Sequence, residues 1–193
     1  MPRRLDPDIE HALVSRAAAD PDALTALYDH YLPRVFGYVA LRVGRAADAE
    51  DVTAAAFMKV VRAIRQFEYR GSGSFAAWLF RIAHNEVLRF QRETPARAGH
   101  VPIDELPDLE SDALLPDAAL ARKEELARLR QRIAALPPRQ QDIVTLRFFG
   151  GLRNSEIAVL LGLDERTVSA HLSRALSTLR LQFQEEAQQE HEP

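Results

Sequence analysis

The chain has 193 residues, of which 47% are hydrophobic and 27% charged, and its formal net charge is −3; this balance is typical of a globular protein with one ordinary domain or two small ones. Cysteine is absent, which excludes disulfides, cysteine-ligated metals and thiol catalysis. No run of about 18 apolar residues occurs, and the N-terminus lacks the apolar segment of a signal peptide, so we expect a cytoplasmic protein without membrane insertion.

The first half of the chain has a helical pattern. Apolar residues recur at helical spacing in three segments, which are residues 24–35, 52–64 and 75–87. Gly44 follows the first segment, and Gly71 and Gly73 mark a short loop before the third. No alternation of apolar and polar residues is sustained enough to indicate a strand. Residues 1–92 therefore predict a small helical domain.

The middle of the chain has a different composition. Residues 93–117 contain four prolines, and residues 93–120 carry seven acidic side chains and one basic one. Prolines at this density prevent a continuous helix, and the charges oppose collapse. We predict an acidic flexible linker here, followed by a second helical domain at residues 118–183 and a polar tail at residues 184–193. The predicted fold is thus all-α, with two small helical domains.

Residues 154–176 have the spacing of a helix-turn-helix. Asn154 or Ser155 can cap one helix, and Asp164 can cap the next. Gly162 lies between them at the tight turn, where a positive φ is needed. This spacing predicts two helices that cross steeply, with the second exposed for a DNA major groove.

The outer face of that second helix carries basic and small polar side chains. Such a face suits contacts with phosphates and with base edges. The candidate DNA-contacting residues are Arg166, Thr167, Ser169, Ala170, His171, Ser173 and Arg174. The alternative is an ordinary amphipathic helix with a solvated side, and His171 alone is also typical of a surface histidine.

Three stretches resemble an RNA polymerase sigma factor of the extracytoplasmic-function group (group 4 of the sigma-70 family), the small two-domain type. They are Asp48 to Val52 with Phe57, Phe67 to Asn85, and the helix-turn-helix with Arg174-Ala175-Leu176. The resemblance covers residues 21–92 and 128–183. It implies that the first domain is region 2 and the second region 4, and that the protein directs core polymerase to promoters and helps to open them.

The first of these stretches resembles the segment that docks on the clamp helices of the polymerase β′ subunit. The candidate polymerase-binding residues are Asp48, Glu50, Asp51, Phe57 and Lys59. Ala54 and Ala55 stand where many relatives have glutamine and glutamate, which removes polar groups from this contact. The resemblance also implies promoter DNA and an anti-sigma factor as partners, and no cofactor, metal or catalytic activity.

The second stretch resembles the segment that reads and melts the −10 promoter element. Opening a duplex costs stacking energy, which a protein offsets by giving an extruded base a pocket. The candidate −10 residues are Tyr69, Arg70, Ser72, Phe75, Asn85, Arg89 and Arg92. Arg89 stands where relatives commonly have aspartate. Two alternatives remain open: Asn85 as a buried amide that braces helices, and Trp78, Leu79 and Ile82 as core residues.

Other functions are compatible with parts of the pattern. Thr167 to Leu172 also resembles the output domain of LuxR-type regulators, which would bind duplex DNA as a dimer without polymerase. The helical first half argues against that class, because a receiver domain needs alternating strands and helices. The acids at Asp48, Glu50 and Asp51 begin an amphipathic helix, where they complement its dipole, so they do not indicate an enzyme. The acidic linker is either a mimic of nucleic-acid charge within the polymerase or a solvated spacer.

Overall fold

The computed structural model describes residues 4–94 and 116–189. The elements in these ranges are helical throughout, which confirms the all-α prediction. The α-helices are α1 (Pro7–Arg16), α2 (Pro21–Val43), α3 (Ala46–Ala63), α4 (Ser74–Glu93), α5 (Pro116–Ala134), α6 (Pro138–Phe148), α7 (Asn154–Leu161) and α8 (Glu165–Gln189), with a 3-10 turn at Ile64–Gln66. Among the described helices, none is both long enough and apolar enough to cross a membrane. Most of the predicted linker lies outside the described residues.

Helix α1 was not predicted from the periodicity of the sequence. It begins with Asp6 as its N-cap, whose carboxylate accepts a hydrogen bond from the Asp8 amide at 2.9 Å, and Pro7 occupies the first helical position. Both are ordinary start signals for a helix. The helix packs on α2 and buries Glu10 and Val14 against it.

Helices α2, α3 and α4 form a bundle around one core. Their buried residues match the three predicted apolar segments, since Val35, Val60 and Leu79 are at most 2% exposed. Aromatic rings fill the centre, with Tyr31 meeting Phe75 edge to face at a centroid distance of 5.3 Å. The bundle confirms that the first half is helical. It lacks, within residues 4–94, the strands that a receiver domain would need.

Helices α6, α7 and α8 confirm the helix-turn-helix. Gly151, with φ of 64°, follows α6, and Gly162, with φ of 66°, ends α7. The predicted cap of α7 was wrong, because Asn154 is already helical and Arg153 is the N-cap. The Glu156 carboxylate satisfies this helix start by accepting from the Arg153 amide at 2.7 Å.

Helix α8 continues to Gln189, into the segment predicted as a polar tail. Residues 184–189 consist of glutamine, glutamate and alanine, all good helix formers, and no glycine or proline interrupts them. Polarity at the end of the chain was therefore a poor guide to where this helix stops.

The two predicted domains pack against each other. One hydrophobic core joins residues of α2, α3 and α4 with Ile143, Leu146 and Ile157 of the second half. A smaller cluster joins Leu41 of α2 to residues of α5, α6 and α8. This packing places α7, the first helix of the helix-turn-helix, against α4 and beside the glycine loop.

Candidate nucleic-acid interface

The start of α8 is fixed by the predicted cap. The Asp164 carboxylate accepts hydrogen bonds from the Thr167 amide at 2.7 Å and from its hydroxyl at 2.6 Å. The hydrogen bond from the Thr167 hydroxyl, and to a smaller extent the one from its amide, lowers the pKa of the Asp164 carboxyl. Asp164 is confirmed as the cap, and the Thr167 hydroxyl is occupied in fixing the helix end.

Four of the residues predicted to face DNA on α8 are exposed to solvent. Arg166, Ser169, Ser173 and Arg174 are exposed, whereas Thr167, Ala170 and His171 are partly buried. Ser169 is also oriented from two sides: its hydroxyl donates to the Glu165 carbonyl at 2.9 Å and accepts from the Asn154 side-chain amide at 3.0 Å. The sequence suggested Asn154 as a helix cap, and its link to the second helix was missed.

The loop before α4 is tightly organised. Gly71 and Gly73 have φ of 103° and 83°, a region that side chains with a Cβ rarely adopt. The Ser74 hydroxyl accepts from the Arg70 amide at 3.1 Å, and the Ser74 amide donates to the Gly71 carbonyl at 3.0 Å. The two predicted glycines thus set a turn that leaves Arg70 and Ser72 exposed.

A cleft of about 620 Å³ opens beside this loop. Its floor includes Arg70 and Ser72 of the loop together with Trp78 and Arg81 of α4, and its far side includes Val159 of α7. The Phe67 and Trp78 rings, with centroids 4.7 Å apart, line it as well. The cleft combines aromatic faces with two arginines and two glutamates, Glu68 and Glu156, and Arg70 pairs with Glu68 at 3.1 Å. Aromatic faces beside arginines are groups that can stack on a base and meet its phosphate.

Phe75 does not belong to this cleft surface. It is only 1% exposed and packs against the rings of Tyr31, Phe67 and Trp78, so the prediction that it contacts DNA was wrong for this conformation. Its position as the second residue of α4 turns its ring into the bundle. Of the three residues weighed as core, Leu79 is buried, whereas Trp78 and Ile82 are only partly buried.

Tyr69 is held by the unpredicted helix α1. Its ring stacks on His11 with centroids 4.5 Å apart, and its hydroxyl donates to the Pro7 carbonyl at 3.3 Å. Glu10 supports the same loop, because its buried carboxylate accepts from the Gly73 amide at 3.2 Å and from the Tyr31 hydroxyl. The sequence prediction missed Glu10, although the Asp6-Pro7 helix start was a signal for an extra helix.

Asn85 and Arg92 lie on another part of α4. Asn85 is exposed, which rules out a buried bracing amide, and it lines a second cleft with Leu88, Gln91 and Arg92. This cleft is separate from the one beside the glycine loop, so Asn85 does not line the same cleft as the loop residues Arg70 and Ser72. The Arg92 side chain donates to the Leu88 carbonyl at 3.2 Å.

Arg89 and Lys59 share one buried carboxylate. Glu86 on α4 is 2% exposed and accepts from Arg89 at 3.0 Å and from Lys59 of α3. The two cations were predicted to serve different partners, DNA and polymerase, and both side chains remain about half exposed. No sequence pattern indicated Glu86, because a lone acid in a helix is usually solvated.

The predicted polymerase-binding residues divide into two groups. Glu50 and Asp51 are exposed, but Asp48 is 6% exposed beside Arg45, and Phe57 is 8% exposed with its ring edge against Tyr28. Asp48 is therefore largely covered, whereas Phe57 lines a small apolar cleft with Tyr28, and their contact with polymerase stays a prediction. Ala54 is exposed and Ala55 partly so.

The same side of α3 also presents apolar residues that the sequence prediction missed. Met58 and Val61 are 53% and 47% exposed, although the spacing of Val61 had grouped it with the core. Val61 lines a small apolar cleft of about 190 Å³ together with Tyr28. Exposed apolar residues beside polar ones are typical of a protein-binding surface.

Comparisons with known proteins agree with these features. Residues 27–95 match the family described as Sigma-70 region 2, and residues 126–179 match Sigma-70, region 4. The chain is 36% identical over 168 residues to the ECF RNA polymerase sigma factor BldN of Streptomyces coelicolor, covering 86% of this chain and 63% of that protein. It is 32% identical over 177 residues to the ECF RNA polymerase sigma factor ShbA of Streptomyces griseus, covering 88% and 92%.

Solved structures share the fold. CnrH, in complex with the cytosolic domain of CnrY, aligns with a TM-score of 0.70 at 20% identity, over 91% of this chain and 97% of that one. RpoE, in complex with the anti-sigma factor NepR from Bartonella quintana, aligns with a TM-score of 0.61 at 20% identity, over 83% and 96%. At this level of identity the likeness concerns the fold alone.

Proposed function

Because the chain belongs to the ECF sigma factors of RNA polymerase, we propose that it directs core polymerase to specific promoters and helps to open them. In this role residues 1–92 act as region 2, residues 118–183 act as region 4, and the acidic segment between them is the linker. The carrying observation is that one chain presents both an exposed basic helix face on α8 and a cleft beside the glycine loop that is lined by aromatic rings and two arginines.

The face of α8 is proposed to read the −35 element. Arg166 and Arg174 are exposed and can neutralise phosphates or reach a guanine edge, while Ser169 is held in a fixed orientation. A capped, rigid helix end loses little conformational entropy on entering the major groove. Partly buried Ala170 and His171 contribute shape to this face.

The loop cleft is proposed to hold a base from the melted −10 element. Its volume of about 620 Å³ falls within the range of about 300–1,000 Å³ that is usual for pockets holding small organic groups. Phe67 and Trp78 offer ring faces for stacking, and Arg70 and Arg81 offer positive charge for the strand. Asn85, Arg89 and Arg92 extend the exposed polar surface along α4.

The exposed side of α3 is proposed to bind the clamp helices of the β′ subunit. Glu50 and Asp51 supply charge that attracts a basic partner, and Met58 and Val61 supply apolar area at the same surface. Lys59, although paired with Glu86, remains half exposed and can contribute to the rim. We infer a cytoplasmic protein that acts by binding rather than by catalysis.

An anti-sigma factor is proposed as a further partner. Two solved structures that share this fold were determined as complexes, CnrH with the cytosolic domain of CnrY and RpoE with the anti-sigma factor NepR. Binding to core polymerase and to such a factor would compete if both use the same exposed apolar side chains.

Size-exclusion chromatography with purified core RNA polymerase tests the proposal. We expect the wild-type protein to co-elute at moderate salt and the double variant Glu50→Lys, Asp51→Lys to elute separately. A matched control reverses two exposed acids on α5, Glu124→Lys and Glu125→Lys, and should co-elute like the wild type. Failure of the wild-type protein to co-elute would contradict the assignment as a sigma factor.

A further inference from the structure

We propose that helix α1 belongs to the site that holds the melted −10 base, and that Glu10 is a positioning residue which keeps the glycine loop in the conformation that accepts this base. The inference rests on the proposed function, because it concerns the cleft beside that loop. Glu10 is not among the described residues that line the cleft, so it acts through the loop and not by touching DNA. The match to Sigma-70 region 2 begins at residue 27 and does not include α1.

Glu10 is a buried carboxylate that joins α1 to α2 and to the glycine loop. It is 4% exposed and accepts hydrogen bonds from the Tyr31 hydroxyl of α2 and from the Gly73 amide at 3.2 Å. The Tyr69 hydroxyl lies 3.4 Å from the same oxygen that accepts from Gly73. A buried carboxylate needs such donors because it has lost its hydration. The donors therefore fix the carboxylate, and the carboxylate fixes the loop relative to α2.

The contact with Gly73 also sets the start of α4. Gly73 is the N-cap of this helix and has no side chain that could accept from the first helical amides. The Glu10 carboxylate supplies, from another helix, the acceptor and the negative charge that a helix N-terminus favours. Helix α4 carries Trp78 and Arg81, which line the cleft. Glu10 thus holds the beginning of the helix that places these two side chains.

The same hydrogen bond orients the peptide bond between Ser72 and Gly73. In a trans peptide the N–H and the C=O point in opposite directions, and the residues that the structure describes include no cis peptide bond. The Gly73 N–H is directed at the buried Glu10, so the Ser72 carbonyl is directed away from it. Both residues line the cleft. Glu10 therefore determines which backbone group of this peptide the loop turns away from the core, an acceptor and not a donor.

Helix α1 holds the other end of the loop through Tyr69. The Tyr69 ring stacks on His11 with centroids 4.5 Å apart and an angle of 19° between the planes, and its hydroxyl donates to the Pro7 carbonyl at 3.3 Å. The contacts at Tyr69 and Gly73 flank Arg70 and Ser72, which remain exposed. The loop is therefore fixed at both ends and presents the residues between them to solvent.

The helix that provides these contacts is itself anchored. Val14 and Ala17, at its end, are 7% and 5% exposed and belong to the core that contains α2. A loop held by such a support loses less conformational entropy when it binds a ligand than a free loop does. Gly71 and Gly73 make the loop unusually flexible once these contacts are removed. Loss of Glu10 should therefore weaken the capture of a melted strand and leave the binding of duplex DNA by α8 unchanged.

Fluorescence anisotropy with the holoenzyme tests the proposal. The probe is a labelled single strand of about 12 nucleotides with the non-template −10 sequence of a promoter located by mapping transcription starts. We expect Glu10→Ala to bind this strand at least about fivefold more weakly than the wild type, with unchanged binding to a duplex that carries only the upstream element. The exposed α1 variant Ser15→Ala is the control and should match the wild type on both probes.

The variant Glu10→Gln separates positioning from charge. Its side-chain oxygen can accept from the Gly73 amide while its NH₂ group donates to the Tyr31 hydroxyl oxygen, so binding of the single strand should return to within about twofold of the wild type. If circular dichroism shows that Glu10→Ala impairs folding, His11→Ala decides, because His11 is exposed. It removes the stacking on Tyr69 and should weaken binding of the single strand about threefold.

Three results would overturn the inference. They are unchanged binding of the single strand by Glu10→Ala and His11→Ala, equal losses on the single strand and on the upstream duplex, and a Glu10→Gln variant as weak as Glu10→Ala. A wild-type holoenzyme that does not prefer the −10 strand to a strand of scrambled sequence would instead reject the proposed function, and the inference with it.

Discussion

Glu86 is a buried carboxylate on which two cations from different helices depend. It is 2% exposed, accepts from Arg89 on its own helix at 3.0 Å and from Lys59 on α3, and so links α3 to α4. The substitution Glu86→Gln keeps the shape of the side chain and removes its charge. We expect it to destabilise the fold without creating a cavity.

The magnitude follows from the exposure of the two cations. A hydrogen bond to a charged group contributes about 1.5–3 kcal/mol. Lys59 and Arg89 are each about half exposed, so water replaces part of the lost interaction and the two contributions do not add in full. We expect a loss of about 1.5–3 kcal/mol in the free energy of unfolding, which lowers Tm by about 3–12 °C for a chain of this length.

Urea unfolding followed by circular dichroism measures this loss, with Glu93→Gln as the matched control. Glu93 pairs with the same Arg89 at 3.4 Å but is 60% exposed, so its substitution should cost less than about 0.5 kcal/mol. A double-mutant cycle with Lys59→Met should give a coupling energy clearly above zero. Equal effects of the Glu86 and Glu93 substitutions, or no coupling to Lys59, would refute the reasoning.

Three further predictions concern DNA and pH. Arg174→Ala should weaken binding to the upstream promoter element about fivefold or more and leave polymerase association intact. The control Arg180→Ala, further along α8, should not weaken promoter binding. Gel-shift assays with holoenzyme measure this, and equal loss of promoter and polymerase binding by Arg174→Ala would indicate a structural role. Asn85→Ala should impair open-complex formation more than closed binding, and unchanged permanganate reactivity of the promoter would contradict it. Burial lowers the pKa of His84 from its ordinary value of 6.5, so the unfolded chain takes up this proton before the folded protein does. The free energy of unfolding should therefore fall as the pH drops from about 6.5 toward 5. Urea titrations at several pH values measure this, and His84→Gln should flatten the dependence on pH. Parallel pH dependences of the wild type and the variant would exclude His84 as the cause.

The helices could be predicted because their information is local. Apolar spacing located α2, α3 and α4, and the capping aspartate with the turn glycine located the helix-turn-helix. Helix α1 was missed because its ten residues bury few side chains and give a weak periodic signal, although Asp6 and Pro7 marked its start. The end of α8 was misplaced because the polar composition of residues 184–193 does not show where a helix stops.

The site was harder to predict than the fold. Residue type and order identified Arg70, Ser72, Arg166 and Arg174, which are exposed as expected. Residue type and order did not distinguish Phe75, which is buried in the core, from Trp78, which lines the cleft. Contacts between distant segments leave no local pattern.

Those distant contacts are the part that sequence reasoning did not reach. Arg4 and Glu156 are separated by 152 positions, and Arg34 and Gly150 by 116. A single sequence gives no sign of such pairs, because each residue alone is compatible with a solvated surface.

The two hydrogen bonds of Ser169 limit which bases this residue of α8 can recognise. A serine hydroxyl has one proton to give and two lone pairs to receive. The proton goes to the Glu165 carbonyl and one lone pair to Asn154, so only one acceptor remains for DNA. In the major groove this acceptor matches the amino groups of cytosine and adenine and is repelled by the oxygen and nitrogen acceptors of guanine and by O4 of thymine. Where Ser169 meets a base edge, it should therefore prefer a base that offers a proton.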